Sequence, residues 1–196
     1  DLLPGSGVNL ERFAYCDYPE DDGVVEFAFV SRVMKEKGIE QYLDAAKYIK
    51  SKYPNTVFSV FGFCEENYED ILNELEKQGI INYGGLVSNV QEVYKKINCL
   101  IHPTYYPEGL SNVLLESCAT GRPIITTNRS GCREVVDDGI NGFMVEEKSK
   151  EDLIEKIEKF MELDYTKKAE MGVEARRIVE SKFDRNIVVE KYMELL

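Results

Sequence analysis

Two acidic residues, Glu108 and Glu116, bracket a stretch with almost no other polar charge, "EGLSNVLLE". Gly109 follows the first and lets the backbone come close to a ligand. With Gly121 and Pro123 as stop signals, the segment predicts a helix opening near Gly109. The amides of Leu110, Ser111 and Asn112 then fall in its first turn, where unbonded N–H groups make an anion site. Glu116 comes about two turns on, back on the face of the helix start. The rise from Glu108 to Glu116 would be about 12 Å. Carboxylates of a retaining glycosidase stand only about 5 Å apart, and those of an inverting one under about 10 Å. This spacing therefore predicts two clamps on one long ligand with an anion between them. A nucleotide sugar has that form: sugar hydroxyls at one end, diphosphate in the middle, ribose hydroxyls at the other. Carboxylates accept hydrogen bonds from such hydroxyl pairs.

A carboxylate on so apolar a helix is costly unless paired. A bound ribose would pair Glu116, and so would a salt bridge to Arg122 or Arg133; the spacing leaves both open. Arg32 and Lys37 sit where a strand turns into a helix. Two cations there could hold a diphosphate, or could be ordinary surface charges. His102, the single histidine, ends the strand-like run "CLIHPT" and reads as a hydrogen-bonded strand-end residue rather than a catalytic base. The five cysteines never form C-x-x-C, and Cys99 and Cys118 lie in apolar surroundings, which points to a reducing compartment and no metal cluster.

The elements that must position these groups alternate in type. Strands are expected at 24–33, 56–63, 81–85, 98–104, 123–128 and 142–146. Helices are expected at 38–54, 67–79, 90–97, from about 109 to 120, at 132–138 ("CREVVDD"), and at about 149–163, 165–182 and 184–196. Short strands separated by helices imply a doubly wound parallel α/β sheet with right-handed crossovers, and such sheets bind ligands at the carboxyl ends of their strands. Those ends are Ser31-Arg32, Phe61-Gly62, Gly84-Gly85, 104–109 and Thr126-Thr127. No internal repeat is visible.

Composition sets the outer limits. The 196 residues carry 43% hydrophobic and 31% charged side chains, enough for one real core. A formal charge of −12 argues against nucleic acid as a partner. No apolar run reaches membrane-span length and no signal-peptide pattern opens the sequence. Because it starts on Asp rather than Met, the chain is expected to be a processed or excised piece. The first strand-to-helix turn, "SRVMKEKG", lacks the glycine fingerprint of a dinucleotide fold, which argues against a dehydrogenase.

The stretch "PEGLSNVLLESCATGRPIITTNRSGCREVVDDGINGFMVE" (107–146) resembles the E-x7-E signature region of the family 4, or group 1, glycosyltransferases of GT-B fold. "FVSRVMKEKGIEQYLDAA" (29–46) is similar to that family's G-R-L-x-x-x-K-G segment. "INYGGLVSNVQEVYKKINCLIHPTYYPEG" (81–109) is similar to its approach to the first glutamate, and "LPGSGVNLERF" (3–13) to its interdomain hinge. The resemblance runs over essentially the whole chain.

It implies the C-terminal, Rossmann-like donor-binding half of a retaining, metal-independent glycosyltransferase, with C-terminal helices. Residues 1–14 would be the hinge, 15–183 the nucleotide-sugar-binding domain, and 184–196 a helix crossing back to an N-terminal acceptor domain not present in these residues. By motif position Glu108 would touch the donor sugar and Glu116 the ribose. Arg32 and Lys37 would hold the diphosphate as leaving group, and the backbone near Leu86 and Val87 would lie by the base. No cofactor or metal is expected. The implied setting is cell-surface polysaccharide synthesis in the cytoplasm or at the inner membrane face, with membrane contact made by the absent half. The isolated chain is expected to bind donor weakly and transfer nothing. Ser31 stands where the family has Gly, Thr104 where it has Ser, and "FGFCEE" (61–66) replaces a G-x-G loop. A sugar-nucleotide epimerase or hydrolase on the same fold, and a non-catalytic nucleotide-sugar-binding module, are the alternative readings.

Overall fold

A computed structural model describes residues 7–65, 67–107 and 109–193, apart from the side chains of Lys191 and Tyr192. Six strands form one all-parallel sheet: β1 (Val25–Val30), β2 (Thr56–Phe61), β3 (Asn82–Gly85), β4 (Cys99–His102), β5 (Ile124–Thr127) and β6 (Gly142–Val145). Their order is β3-β2-β1-β4-β5-β6. The chain winds outward from β1 in one direction and from β4 in the other, so the sheet is doubly wound. Its switch point lies between β1 and β4, where Phe27 pairs with Cys99.

The central strands β4 and β5 are buried on both faces, as their continuous apolar runs require, whereas the edge strand β3 is half exposed. One face carries α1 (Ile39–Lys52), α2 (Glu69–Lys77) and α5 (Lys150–Glu162), whose Tyr42, Ile49, Leu72, Ile157 and Phe160 cover Phe27, Phe29 and Phe58. The other carries α3 (Val90–Lys96), α4 (Asn112–Ala119) and α6 (Tyr165–Lys182), packed on Ala28, Val30 and Leu100. A last helix, α7 (Arg185–Met193), follows Phe183 and Asp184. The described part of the hinge is tied to its start. Val8 donates to Phe183 O at 2.9 Å, and Arg185 N donates to Val8 O at 3.0 Å.

Two expected elements change. The segment 132–138 is not a helix but a run of turns: Cys132 and Arg133 both donate to Arg129 O, and Val135 to Cys132 O. Asn141 ends it, donating through Nδ2 to Val135 O at 2.9 Å and accepting from Asp137 N at 2.8 Å. Those are the backbone groups that a helix would need for its next turn. The second change is the start of α4, which opens at Asn112 rather than near Gly109, because Ser111 is extended (φ −76°, ψ 106°).

The buried guanidinium of Arg122 fixes where α3 and α4 end. It is fully inaccessible and faces carbonyls rather than a carboxylate. Nε donates to Tyr94 O at 2.7 Å, Nη1 to Gly121 O and Cys16 O, and Nη2 to Lys95 O and Asp17 O. Five carbonyls from three segments thus share one cation, which satisfies the end of α3, while at the end of α4 Ala119 O accepts from Arg176 Nη1 at 2.8 Å.

Candidate functional site

The carboxyl ends of β1 and β4 are brought together by two close backbone approaches. Gly38 sits at φ 79°, and a Cβ there would stand 2.1 Å from Pro103 O. Gly62 sits at φ 145°, and its Cβ would meet Ser31 O at 1.7 Å. Only glycine fits either position. The first contact seats the turn 35–37 against the loop after β4. The second lets residues 31–33 continue to pair with 61–65: Val33 N donates to Phe63 O, and Glu65 N to Val33 O. The loop "FGFCEE", which replaces a G-x-G, is therefore an extension of the β1–β2 pairing, and it places Glu65 beside Arg32.

Arg32 Nη1 meets both oxygens of Glu65, at 2.9 and 3.0 Å. The Arg32 guanidinium also lies 5.4 Å from the centre of the Tyr106 ring, and Lys37 Nζ lies 4.7 Å from the same ring. Sequence reasoning paired the two cations but missed the ring that both approach. Tyr106 is held there by Thr104, whose Oγ1 accepts from Tyr106 N at 3.2 Å and donates to Glu36 O at 3.3 Å. Tyr105 N donates to the same Glu36 carbonyl at 2.8 Å. Lys37 is nearly buried, while Arg32 is half exposed.

Glu108 lies outside the described residues, so its distance to any partner is not part of this geometry. Since α4 begins at Asn112, the helical rise does not apply to residues 109–111. Gly109 is exposed, and among the described residues a Cβ there would meet nothing within 4 Å. Leu110 is half-buried against the second core.

The expectation for Ser111 is corrected. Its amide is not turned outward but donates to Gly131 O at 2.8 Å. Its buried hydroxyl lies 3.2 Å from His102 Nε2 instead of capping the helix. His102 is thus the hydrogen-bonded strand-end residue that its position suggested.

Asn112 and Glu116, four apart, share one face of α4. They line a cleft of about 180 Å³ with Asn9, Arg12, Phe13 and Arg185. Glu116 is paired with neither Arg122 nor Arg133. Tyr94 donates to its Oε2 at 3.2 Å. Burial pushes the Glu116 carboxyl above its usual range, opposed by the Tyr94 hydroxyl and the charge of Arg12. Val87 lines a different and larger cleft, of about 430 Å³, running between the end of β2 and α3 past Phe61, Leu86 and Asn89. The structure therefore gathers Arg32 with Lys37, and Asn112 with Glu116, but gives Val87 a cavity of its own. Among the described residues, no group of three or more His, Cys, Asp or Glu is placed to hold a metal ion. None of their helices is long and apolar enough to cross a membrane.

Residues 17–178 match the family model described as glycosyl transferases group 1. The chain belongs to this family, as the Rossmann-like C-terminal half of its GT-B fold. It is 34% identical over 201 residues to the capsular polysaccharide biosynthesis glycosyltransferase CapM of Staphylococcus aureus, covering 95% of this chain and 51% of CapM. It is 25% identical to the N,N'-diacetylbacillosaminyl-diphospho-undecaprenol alpha-1,3-N-acetylgalactosaminyltransferase of Campylobacter jejuni, covering 99% of this chain and 53% of that enzyme. Among solved structures, Anabaena Alr3699/HepE, crystallised with UDP and glucose, superposes with a TM-score of 0.80 at 19% identity, over 96% of this chain and 54% of that one. The chain spans about half the length of the curated relatives it matches.

Proposed function

We propose that this chain is the donor-binding half of a retaining glycosyltransferase that moves a sugar from a nucleotide-diphosphate sugar to a glycan or lipid-linked acceptor. The observation that carries the reading is Glu116. It is a carboxylate on the most apolar helix of its face, held by a tyrosine instead of an arginine, with a side toward a polar cleft. A ribose diol would supply the hydrogen bonds that its burial calls for.

Arg32 and Lys37 would bind the diphosphate and stabilise the charge that grows on it as the glycosidic bond breaks. Glu108 would contact the donor sugar, with Gly109 leaving room for it. The backbone at Leu86 and Val87 would lie by the base. The UDP and glucose named for the Anabaena structure support a nucleotide-sugar donor. The capsular and undecaprenol-linked names of the two relatives support a role in cell-surface polysaccharide synthesis; the setting would be the cytoplasmic side of a membrane. Acceptor recognition and membrane contact would belong to an N-terminal domain. Because the chain covers only about half of its relatives, it would act alone as a binding module without transfer.

A thermal-shift panel of UDP-, GDP- and ADP-sugars tests this. One nucleotide class should raise the unfolding temperature in a saturable way, and a panel with no stabilising member refutes the reading.

A further inference from the structure

Tyr94 lies on the inner face of α3, fully buried, with its ring 6.2 Å from that of Phe13. Both ends of the residue are fixed. Its carbonyl accepts from Arg122 Nε, and the same guanidinium holds Gly121 O just beyond α4, the helix that carries Glu116. Hydroxyl donor and carboxylate acceptor are thus mounted on two helices anchored to one buried cation. The hydroxyl reaches only one carboxylate oxygen, Oε2. Among the described residues no donor engages Oε1.

We propose that Tyr94 is the positioning residue for Glu116, fixing the plane of the carboxylate so that Oε1 and the free lone pair of Oε2 face the ligand cleft. The proposal rests on the reading of Glu116 as the ribose carboxylate. A carboxylate tethered at one oxygen meets a vicinal diol without first losing its own rotational freedom, which is how preorganisation raises affinity. Among the described residues, the charged and titratable groups facing Glu116 come from separate elements. They are Tyr94 from α3, Arg12 from the segment before β1, and Arg185, which shares its cleft, from the start of α7. Arg12 is set there by Asn9, whose Oδ1 accepts from Arg12 N at 2.9 Å. Tyrosine donation favours the ionised carboxylate, so losing the hydroxyl would move Glu116 protonation to higher pH.

The experiment is a titration of the 196-residue chain with UDP-glucose, GDP-mannose and ADP-glucose from pH 4.5 to 8.5. The variants are Tyr94→Phe, Glu116→Ala and the double substitution, with thermal unfolding recorded in parallel. Tyr94→Phe keeps the buried ring. The result expected is a roughly fivefold loss of affinity at pH 7.5, about the size of one hydrogen bond. The acid limb of binding should move to higher pH. Neither effect should persist in the Glu116→Ala background. An unchanged affinity and pH profile for Tyr94→Phe, with Glu116→Ala still weakening binding, overturns the proposal and leaves the ribose reading standing. An affinity loss that persists in the Glu116→Ala background reduces Tyr94 to a scaffold residue and also overturns it. If Glu116→Ala binds as well as wild type, or no nucleotide sugar binds, the reading beneath it falls and takes the proposal with it.

Discussion

Arg32 and Lys37 share one aromatic ring, their charged ends 5.4 and 4.7 Å from the centre of Tyr106. Five residues apart in sequence, they come from the end of β1 and the turn before α1, and the ring comes from the loop after β4. The three residues together therefore span the switch point of the sheet. An anion entering there meets two cations with their spacing already set. Glu65 occupies one of them through both of its oxygens.

Glu65 stands where a diphosphate would compete. Glu65→Gln should tighten UDP binding by about two- to fivefold, since an exposed ion pair of this kind is worth little to the fold. Arg32→Ala should weaken binding by about tenfold. Calorimetric titration at low salt and at 0.5 M salt would check both signs. Weaker binding by Glu65→Gln would instead make Glu65 a support for Arg32.

Gly109 separates fold from ligand. A Cβ there meets nothing within 4 Å among the described residues, so Gly109→Ala should leave Tm within about 1 °C of wild type while weakening nucleotide-sugar binding severalfold. Gly62→Ala, whose Cβ would strike Ser31 O, should instead lower Tm. The two variants, compared by thermal unfolding and titration, should behave oppositely.

Burial raises the Glu116 carboxyl above its ordinary range in the folded chain. Such a group favours folding fully at pH values below its unfolded pKa, and that contribution disappears as pH rises through the folded value. At neutral pH the ionised carboxylate is therefore a liability to stability. Glu116→Gln should raise Tm by about 1–3 °C at pH 7, with the gain vanishing toward pH 4. Scanning calorimetry across that range would show it.

Arg122 gathers five carbonyls without a carboxylate partner. Arg122→Met fills much of the same space but leaves those acceptors buried. Urea unfolding should show a loss of about 3 kcal/mol or more. A loss under about 1 kcal/mol would mean that water replaces the guanidinium.

The parallel sheet was legible in the sequence because strand and helix alternate in clear apolar runs, and each observed strand falls inside its expected segment. The misses share one cause: a bond from a residue outside the segment overrode a local pattern. "CREVVDD" has helix-like composition, but the side chain of Asn141 captures Val135 O and Asp137 N before a second turn can form. Ser111 looks like a cap, yet its hydroxyl turns to His102 and its amide to Gly131. Glu116 stood out in sequence as a charge in apolar surroundings. Its partner could not be read, because Tyr94 reaches it from another helix and Arg122, near in sequence, turns its donors to carbonyls. Arg12, far from the motif in sequence, joins the cleft only through the fold.

The most direct test is calorimetric titration of UDP-, GDP- and ADP-sugars into the wild-type chain and Glu116→Ala at pH 7.5. The account predicts that one nucleotide sugar binds the wild type, and that Glu116→Ala binds it at least about tenfold more weakly while folding as well. Equal affinity in the two proteins, or no binding by either, would contradict it.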